Sequence, residues 1–236
     1  MLSKRFLVFF VFVMVFNIYA EQQEIAIATL EYPPFIYSEN NQVKGPIVDK
    51  IRAVFDQLGI KTTIKIYPIA RGLLMVKNGE VDAYFSLKKT PEREEELLFT
   101  NEPLIQQPFV FFTRNDSKII WHGNFEEIKN HRIGIVSKTS YGIVFDEYLK
   151  NKFFINIDEA QSFEQNIKKL IAGRVDLIIN SYDVGQNIIN KLNASNTITA
   201  LSPPVEIVSS YLAFTKKKDY TSLAREYDLI LENEKK

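Results

Sequence analysis

Short apolar runs alternate along this chain with stretches whose apolar residues recur every three or four positions. Residues 25–29 read as a strand. Residues 46–58 read as a helix, with Ile47, Ile51, Val54, Phe55 and Leu58 on one face and Gly59 as its stop. Residues 62–66 alternate like a strand, 72–78 form a short helix ended by Gly79, and 81–86 are the next strand. Strands alternating with helices imply parallel βαβ units.

The same order returns past residue 130. Residues 132–136 are a strand and 141–150 a helix with Val144, Phe145, Tyr148 and Leu149 on one side. Residues 162–172 are a helix opening on Ser162 and Gln165 as a capping box and closing at Gly173, and 175–180 are a strand. Gly79-Glu80-Val81-Asp82 and Gly173-Arg174-Val175-Asp176 stand at matching points of the two halves, so the pattern predicts two lobes of similar build. Two extended runs, 108–113 and 205–214, flank the second half, and a terminal helix spans 220–231. Two crossings with a lobe between them make a hinge. The expected fold is therefore α/β, a two-lobed clamshell with two hinge crossings. Residues 21–112 with 209–236 form lobe 1, and 113–208 form lobe 2.

The first twenty residues change the picture of where the protein works. Lys4 and Arg5, the eleven apolar residues 6–16 and the small Ala20 before Glu21 read as a cleaved secretory signal over residues 1–20. Eleven residues fall short of the roughly 20 that span a bilayer. Removing them leaves 27 basic against 29 acidic residues, a net charge of −2. That balance argues against nucleic acid or an anionic membrane as partner. With no cysteine there is neither a lipidation site nor a disulfide, and the remaining 216 residues are enough to bury a core. The expectation is a monomer in the periplasm.

Ligands of open α/β sheets lie beyond the carboxyl ends of the strands. Those positions hold Glu31, Tyr32 and Phe35; Ser86; Thr139 and Ser140; and Asn180, Ser181 and Asp183. They hydrogen-bond and stack, and they form no catalytic set. Thr90-Pro91-Glu92-Arg93 adds an N-cap, a proline suited to the first helical position, and a guanidinium matched to a carboxylate. The competing reading is a solvated first turn, since Glu94, Glu95 and Glu96 follow. His122 and His131 read as surface residues, too few for a zinc site, so no metal and no cofactor are expected. Phe109, Phe111 and Phe112 read as strand packing, and Lys216-Lys217-Lys218 as a solvated turn.

Gly79 to Asp82, Thr90-Pro91-Glu92-Arg93 and Phe99-Thr100-Asn101-Glu102-Pro103, together with Tyr32-Pro33-Pro34-Phe35 and Gly173 to Asp176, resemble the extracellular solute-binding proteins of family 3. That family includes amino-acid receptors of ABC importers, and the resemblance covers nearly all of the chain after the signal. It implies a type II periplasmic-binding-protein fold. Arg93 would hold a ligand carboxylate, assisted by Ser86 and by Thr139 or Ser140 of the facing lobe, and Tyr32 would stack on the ligand. Two positions depart from the pattern. Ser181 stands where amino-acid binders carry an acid for the ligand's ammonium, with Asp183 two residues on. Ile69 stands at the aromatic wall of the first lobe, which brings Arg71 close to the cleft. The function so implied is capture of a small polar, carboxylate-bearing solute, an amino acid or a relative of one, for an ABC permease at the inner membrane. The alternatives are a ligand-sensing module for a signalling partner and a dehydratase-like enzyme on the same fold.

Overall fold

A computed structural model describes residues 24–234, and the predicted signal segment lies outside them. Strand β1 (Glu24–Thr29) leads through a hairpin, β2 (Tyr37–Glu39) and β3 (Gln42–Lys44), into α1 (Pro46–Gln57). Then come β4 (Lys61–Ile66), α2 (Ile69–Asn78), β5 (Ala83–Leu87), α3 (Pro91–Glu96), β6 (Leu97–Phe99) and the long β7 (Ile105–Arg114). The second half holds β8 (Arg132–Val136), α4 (Ile143–Lys150), β9 (Asn156–Ala160), α5 (Phe163–Ile171), β10 (Leu177–Ser181) and α6 (Tyr182–Lys191). Strands β11 (Ile198–Ala200) and β12 (Glu206–Thr215) and helix α7 (Thr221–Asn233) close the described chain.

The sheet runs β4-β1-β5-β12-β7-β10-β8-β9. Each half repeats one order, with its second strand outside its first, its third inside, and a crossing strand beyond. β1 pairs in parallel with β4 and β5, and β8 in parallel with β9 and β10. The crossing strands exchange partners along their length. β12 lies antiparallel to β7 over Glu206 to Ser210 and then to β5 over Tyr211 to Phe214. β7 passes from that contact to β10 over Phe109 to Thr113. This is the two-lobed clamshell with two crossings.

The repeated Gly-x-Val-Asp segment is a structural tie in both lobes. Gly79 and Gly173 take φ of 78° and 68°, which glycine reaches without a Cβ clash. Asp82 Oδ2 accepts the Ala26 N–H of β1 at 2.8 Å, and Asp176 Oδ2 accepts the Arg132 N–H of β8 at 2.9 Å. Each aspartate thus pins the third strand of its lobe to the first. Each also holds a cation, Lys218 at 2.7 Å for Asp82 and Arg132 at 2.6 Å for Asp176. Lys216-Lys217-Lys218 is the exposed turn expected; from it Lys218 reaches Asp82, and Lys216 donates to the carbonyls of Glu94 and Glu95. At the far end, Asp228 of α7 accepts the N–H groups of Asn101 and Glu102, fastening the terminal helix to lobe 1.

Amphipathic spacing accounts for the helix faces. α5 buries Phe163, Ile167 and Leu170, each stabilising by about 1.5–3 kcal/mol. Its capping box is half as expected: Ser162 Oγ accepts the Gln165 N–H, but Gln165 Oε1 reaches back to the Gln161 N–H. α2 begins at Ile69, three residues before the predicted start, because the fixed φ of Pro68 suits the capping position. α4 begins at Ile143, later than predicted, and buries Phe145 fully while Val144 stays exposed with its N–H on Glu206. Phe109, Phe111 and Phe112 are core, as expected. Among the described residues no helix is long and apolar enough to cross a membrane.

Burial raises the pKa of the Asp82 carboxyl. The hydrogen bonds from Lys218, Tyr220 and the Ala26 N–H outweigh that and leave it below its ordinary value. Its stabilisation is then complete above the unfolded carboxylate range near pH 4 and is lost as pH falls through the depressed folded value. Asp82→Ala should cost about 2–3 kcal/mol in urea unfolding at neutral pH. Asp176→Ala should cost less, because its side chain is 22% exposed against 12% for Asp82. Equal costs would contradict the tie as described.

Candidate functional site

The carboxyl ends of β1, β5 and β8 converge where the lobes meet. A small cavity of about 20 Å³ lies there, with Tyr32, Tyr84, Ser86, Lys88 and Arg93 on one side and Thr139, Ser140 and Phe163 on the other. That volume holds about one water-sized group. Leu30, Ile69 and Phe163 also line an adjoining apolar cavity of about 430 Å³, with Pro33, Ile66, Tyr67 and Ile188 among its walls.

Arg93 sits in the first turn of α3 because Thr90 caps that turn, its Oγ1 accepting the Arg93 N–H at 3.3 Å. The guanidinium turns inward to the seam. Nη1 donates to the Lys88 carbonyl at 2.9 Å and Nη2 to the Lys138 carbonyl of the facing lobe at 3.0 Å. Two of its five N–H donors are thus engaged, and one of them closes the gap between lobes. Burial lowers its pKa, and no carboxylate among the described residues forms an ion pair with it.

Lys88 and Tyr84 share the lining. The Lys88 ammonium lies 4.6 Å from the centroid of the Phe109 ring and has no hydrogen-bond acceptor among the described residues. Burial pushes its pKa down to about 7, the nearby Arg93 adding to the effect and Asp146 opposing it. The Tyr84 hydroxyl is buried without a partner, and burial holds its pKa well above the ordinary value. Thr139 Oγ1 is likewise buried and unpartnered. Ser86 takes φ of 64°, the left-handed region that a serine enters at a cost of about 1–3 kcal/mol.

Ser140 is committed elsewhere. Its Oγ donates to Asp146 Oδ2 at 2.5 Å, and the Tyr141 N–H donates to Asp146 Oδ1 at 2.9 Å. Burial raises the pKa of Asp146 against these bonds. Tyr32 is 3% exposed; its hydroxyl donates to Gln107 Oε1 at 3.1 Å and its ring lies 5.6 Å from that of Phe163 in the other lobe. Gln107 in turn donates to Ser181 Oγ at 3.3 Å, so Ser181 is held in a buried chain at the start of α6.

The structure therefore brings Tyr32, Ser86, Arg93, Thr139 and Ser140 around one cavity. Phe35 stands behind Tyr32 with ring centroids 6.3 Å apart. Arg71 is exposed on α2 with its guanidinium 5.5 Å from the Tyr67 ring, and Asp183 is exposed in the first turn of α6. Neither lines the small cavity. Lys88, Tyr84 and Asp146 were not anticipated. Lys88 stands two residues past Ser86 at the same strand end, a signal hidden by its pairing with Lys89, which reads as solvated loop.

Residues 25–149 match the family described as bacterial extracellular solute-binding proteins, family 3. The chain belongs to that family. Three solved structures share the fold. Holo ArgBP from T. maritima aligns at a TM-score of 0.76 and 18% identity over 90% of this chain and 91% of that one. An ancestral arginine-binding protein, solved bound to arginine and bound to glutamine, aligns at 0.75 and 18% over 90% and 92%. A histidine kinase sensor domain with similarity to periplasmic binding proteins aligns at 0.79 and 16% over 90% and 92%. Identities this low carry the fold alone. One curated relative, DNA polymerase III subunit alpha of Rickettsia bellii (strain RML369-C), is 26% identical over 116 residues. They make up 48% of this family 3 chain, which spans 10% of that relative's length.

An unpartnered buried hydroxyl contributes no net stability, whereas Ser140 satisfies a buried carboxylate. Thr139→Val should leave the unfolding midpoint of the ligand-free protein unchanged or slightly raised. Ser140→Ala should cost about 1–3 kcal/mol. A loss for Thr139→Val as large as that for Ser140→Ala would show that the Thr139 hydroxyl is already paired.

Proposed function

We propose that this family 3 protein is an exported receptor that shuts its two lobes over a small polar solute bearing a carboxylate. It then presents the closed form to an ABC permease at the inner membrane. The observation that carries the reading is Arg93, which crosses the seam while retaining free donors beside two unpartnered buried hydroxyls. Polar groups buried without partners are costly in a folded protein and mark where a ligand would supply the missing bonds.

Lobe 1 offers Arg93, Ser86 and Tyr32 as the first contacts of the open cleft. Lobe 2 then brings Thr139, with Ser140 and Asp146 behind it, and water leaves the site, which strengthens every charged contact inside. The partner exchange within β7 and β12 supports a hinge near Phe109 and Ser210, a few residues from the lobe boundaries read in the sequence. Arg71, Ser181 and Asp183 serve the rim and the hinge network in this reading. The residues of the cleft hold a solute and leave it unchanged, and the signal read in the sequence over residues 1–20 supports export from the cytoplasm.

Sensing is a second reading with its own support, since a sensor domain stands among the solved structures that share the fold. The binding chemistry is the same, and the partner of the closed form distinguishes the two.

A thermal-shift panel of amino acids, other small carboxylates, amines and sugars tests the reading. A solute at a hundredfold excess over its dissociation constant stabilises by about 2.7 kcal/mol. The expected hit is a carboxylate whose affinity falls by about 2–5 kcal/mol in Arg93→Ala, roughly 30-fold or more. A hit with unchanged affinity in that variant would overturn the assignment of Arg93.

A further inference from the structure

The charges around the small cavity are one-sided. Arg93 and Lys88 both line it, and among the described residues no carboxylate does. The acids these cations feel are Asp146, whose two oxygens are taken up by the Ser140 hydroxyl and the Tyr141 N–H, and, for Arg93, the exposed Glu92, which lies 3.8 Å from Lys150. Of the hydroxyls that line it, those of Tyr84 and Thr139 are buried without partners among the described residues. An amino-acid head group placed here would set its ammonium against two cations, with hydroxyls as its nearest acceptors. Like charges in a water-poor site repel strongly, which is a means of rejecting a near-identical solute. The larger cavity that adjoins this one is walled mostly by apolar and aromatic side chains, with Gln161, Ser162 and Lys191 on its second-lobe side. Of its two acids, Glu31 faces solvent and Glu164 is already paired with Lys168 and Lys191.

We infer that the solute is an organic acid with no ammonium beside its carboxylate, held at that end by Lys88 together with Arg93 and carrying an apolar body in the adjoining cavity. Lys88 is then the residue that sets specificity. Its ammonium is oriented by the Phe109 ring, and Phe109 belongs to β7 where that strand enters the second lobe. An aryl or branched-alkyl 2-oxo or 2-hydroxy acid has the required form. The inference rests on the reading that the interlobe cleft is the solute site.

Matched pairs of compounds test it, since each pair differs only at C2, a carbonyl in one and an ammonium-bearing carbon in the other: phenylpyruvate against phenylalanine, and the oxo acid of leucine against leucine. Titration calorimetry on the wild-type protein at pH 6 should give each oxo acid at least about tenfold tighter binding than its amino acid. Lys88→Met should weaken the oxo acids about tenfold or more and narrow the gap within each pair, while Lys88→Arg should keep most of the affinity.

Titration gives a second readout. The charged groups acting on Lys88 are Arg93 from α3 and Asp146 from α4, and the Tyr84 hydroxyl of β5 lines the same cavity. An anion bound beside Lys88 raises its pKa from the free value of about 7, so affinity is full below that pH and falls as pH rises through it. Between pH 6 and pH 8 the wild-type affinity should drop about tenfold, and in Lys88→Met it should stay flat. Amino acids binding as tightly as their oxo acids would overturn the inference. So would unchanged affinity in Lys88→Met alongside a large loss in Arg93→Ala, and that result would leave solute capture by the cleft intact. If none of the four compounds binds, the apolar-acid class is excluded, and the broader solute panel decides separately whether the cleft captures anything.

Discussion

Everything in this molecule depends on five residue pairs between two antiparallel strands, from Glu206 opposite Phe109 to Ser210 opposite Ile105. They form the seam through which one lobe is joined to the other. Each strand then leaves the pair for its own lobe, β12 to lie beside β5 and β7 to lie beside β10. A two-strand ladder keeps its backbone groups satisfied while it twists, so the lobes can rotate about it without either core being opened. Helix α7 does not oppose that motion, because Asp228 fastens it back to lobe 1.

The same seam decides the chemistry. Strand ends from both lobes arrive there, and each brings side chains that its own lobe cannot satisfy. Arg93 resolves part of this by gripping a carbonyl on each side. Lys88, Tyr84 and Thr139 have no side-chain hydrogen-bond partners among the described residues. Two opposite charges at 4 Å gain about 4 kcal/mol in an environment of intermediate polarity, against about 1 kcal/mol for an ordinary hydrogen bond. The two cations therefore dominate the choice of solute, and the hydroxyls refine its orientation.

Much of the fold was legible in the sequence because its signals are periodic or punctuated by glycine. Gly79 and Gly173, each followed by a Val-Asp pair, marked the same turn in both lobes, and the structure gives the two aspartates the same bond to the first strand. Two of the elements that escaped have no apolar alternation to read. β9 is a mostly exposed edge strand, and the β2–β3 hairpin turns on Asn40 and Asn41, both at positive φ, between polar residues. At the site, Tyr32, Ser86, Arg93 and Thr139 stood at strand ends or in a recognisable motif. Lys88 did not, because partial burial of a lysine beside another lysine is a tertiary fact: it follows from how the loop after β5 packs at the meeting of the lobes. Asp146 is a comparable case, since a helix residue seven past Thr139 gives no sign in sequence that it ties down the loop before it.

Closure of the two lobes around a solute is the central claim, and the distance between them tests it most directly. The chain has no cysteine, so spin labels on Glu95→Cys of α3 and Glu147→Cys of α4, both exposed, report that distance without interference. These helices face each other across the cleft, where Lys150 reaches to 3.8 Å from Glu92. With saturating solute the account predicts one narrow, short distance, and without it a longer or broader distribution. Identical distributions with and without a solute that binds would contradict it.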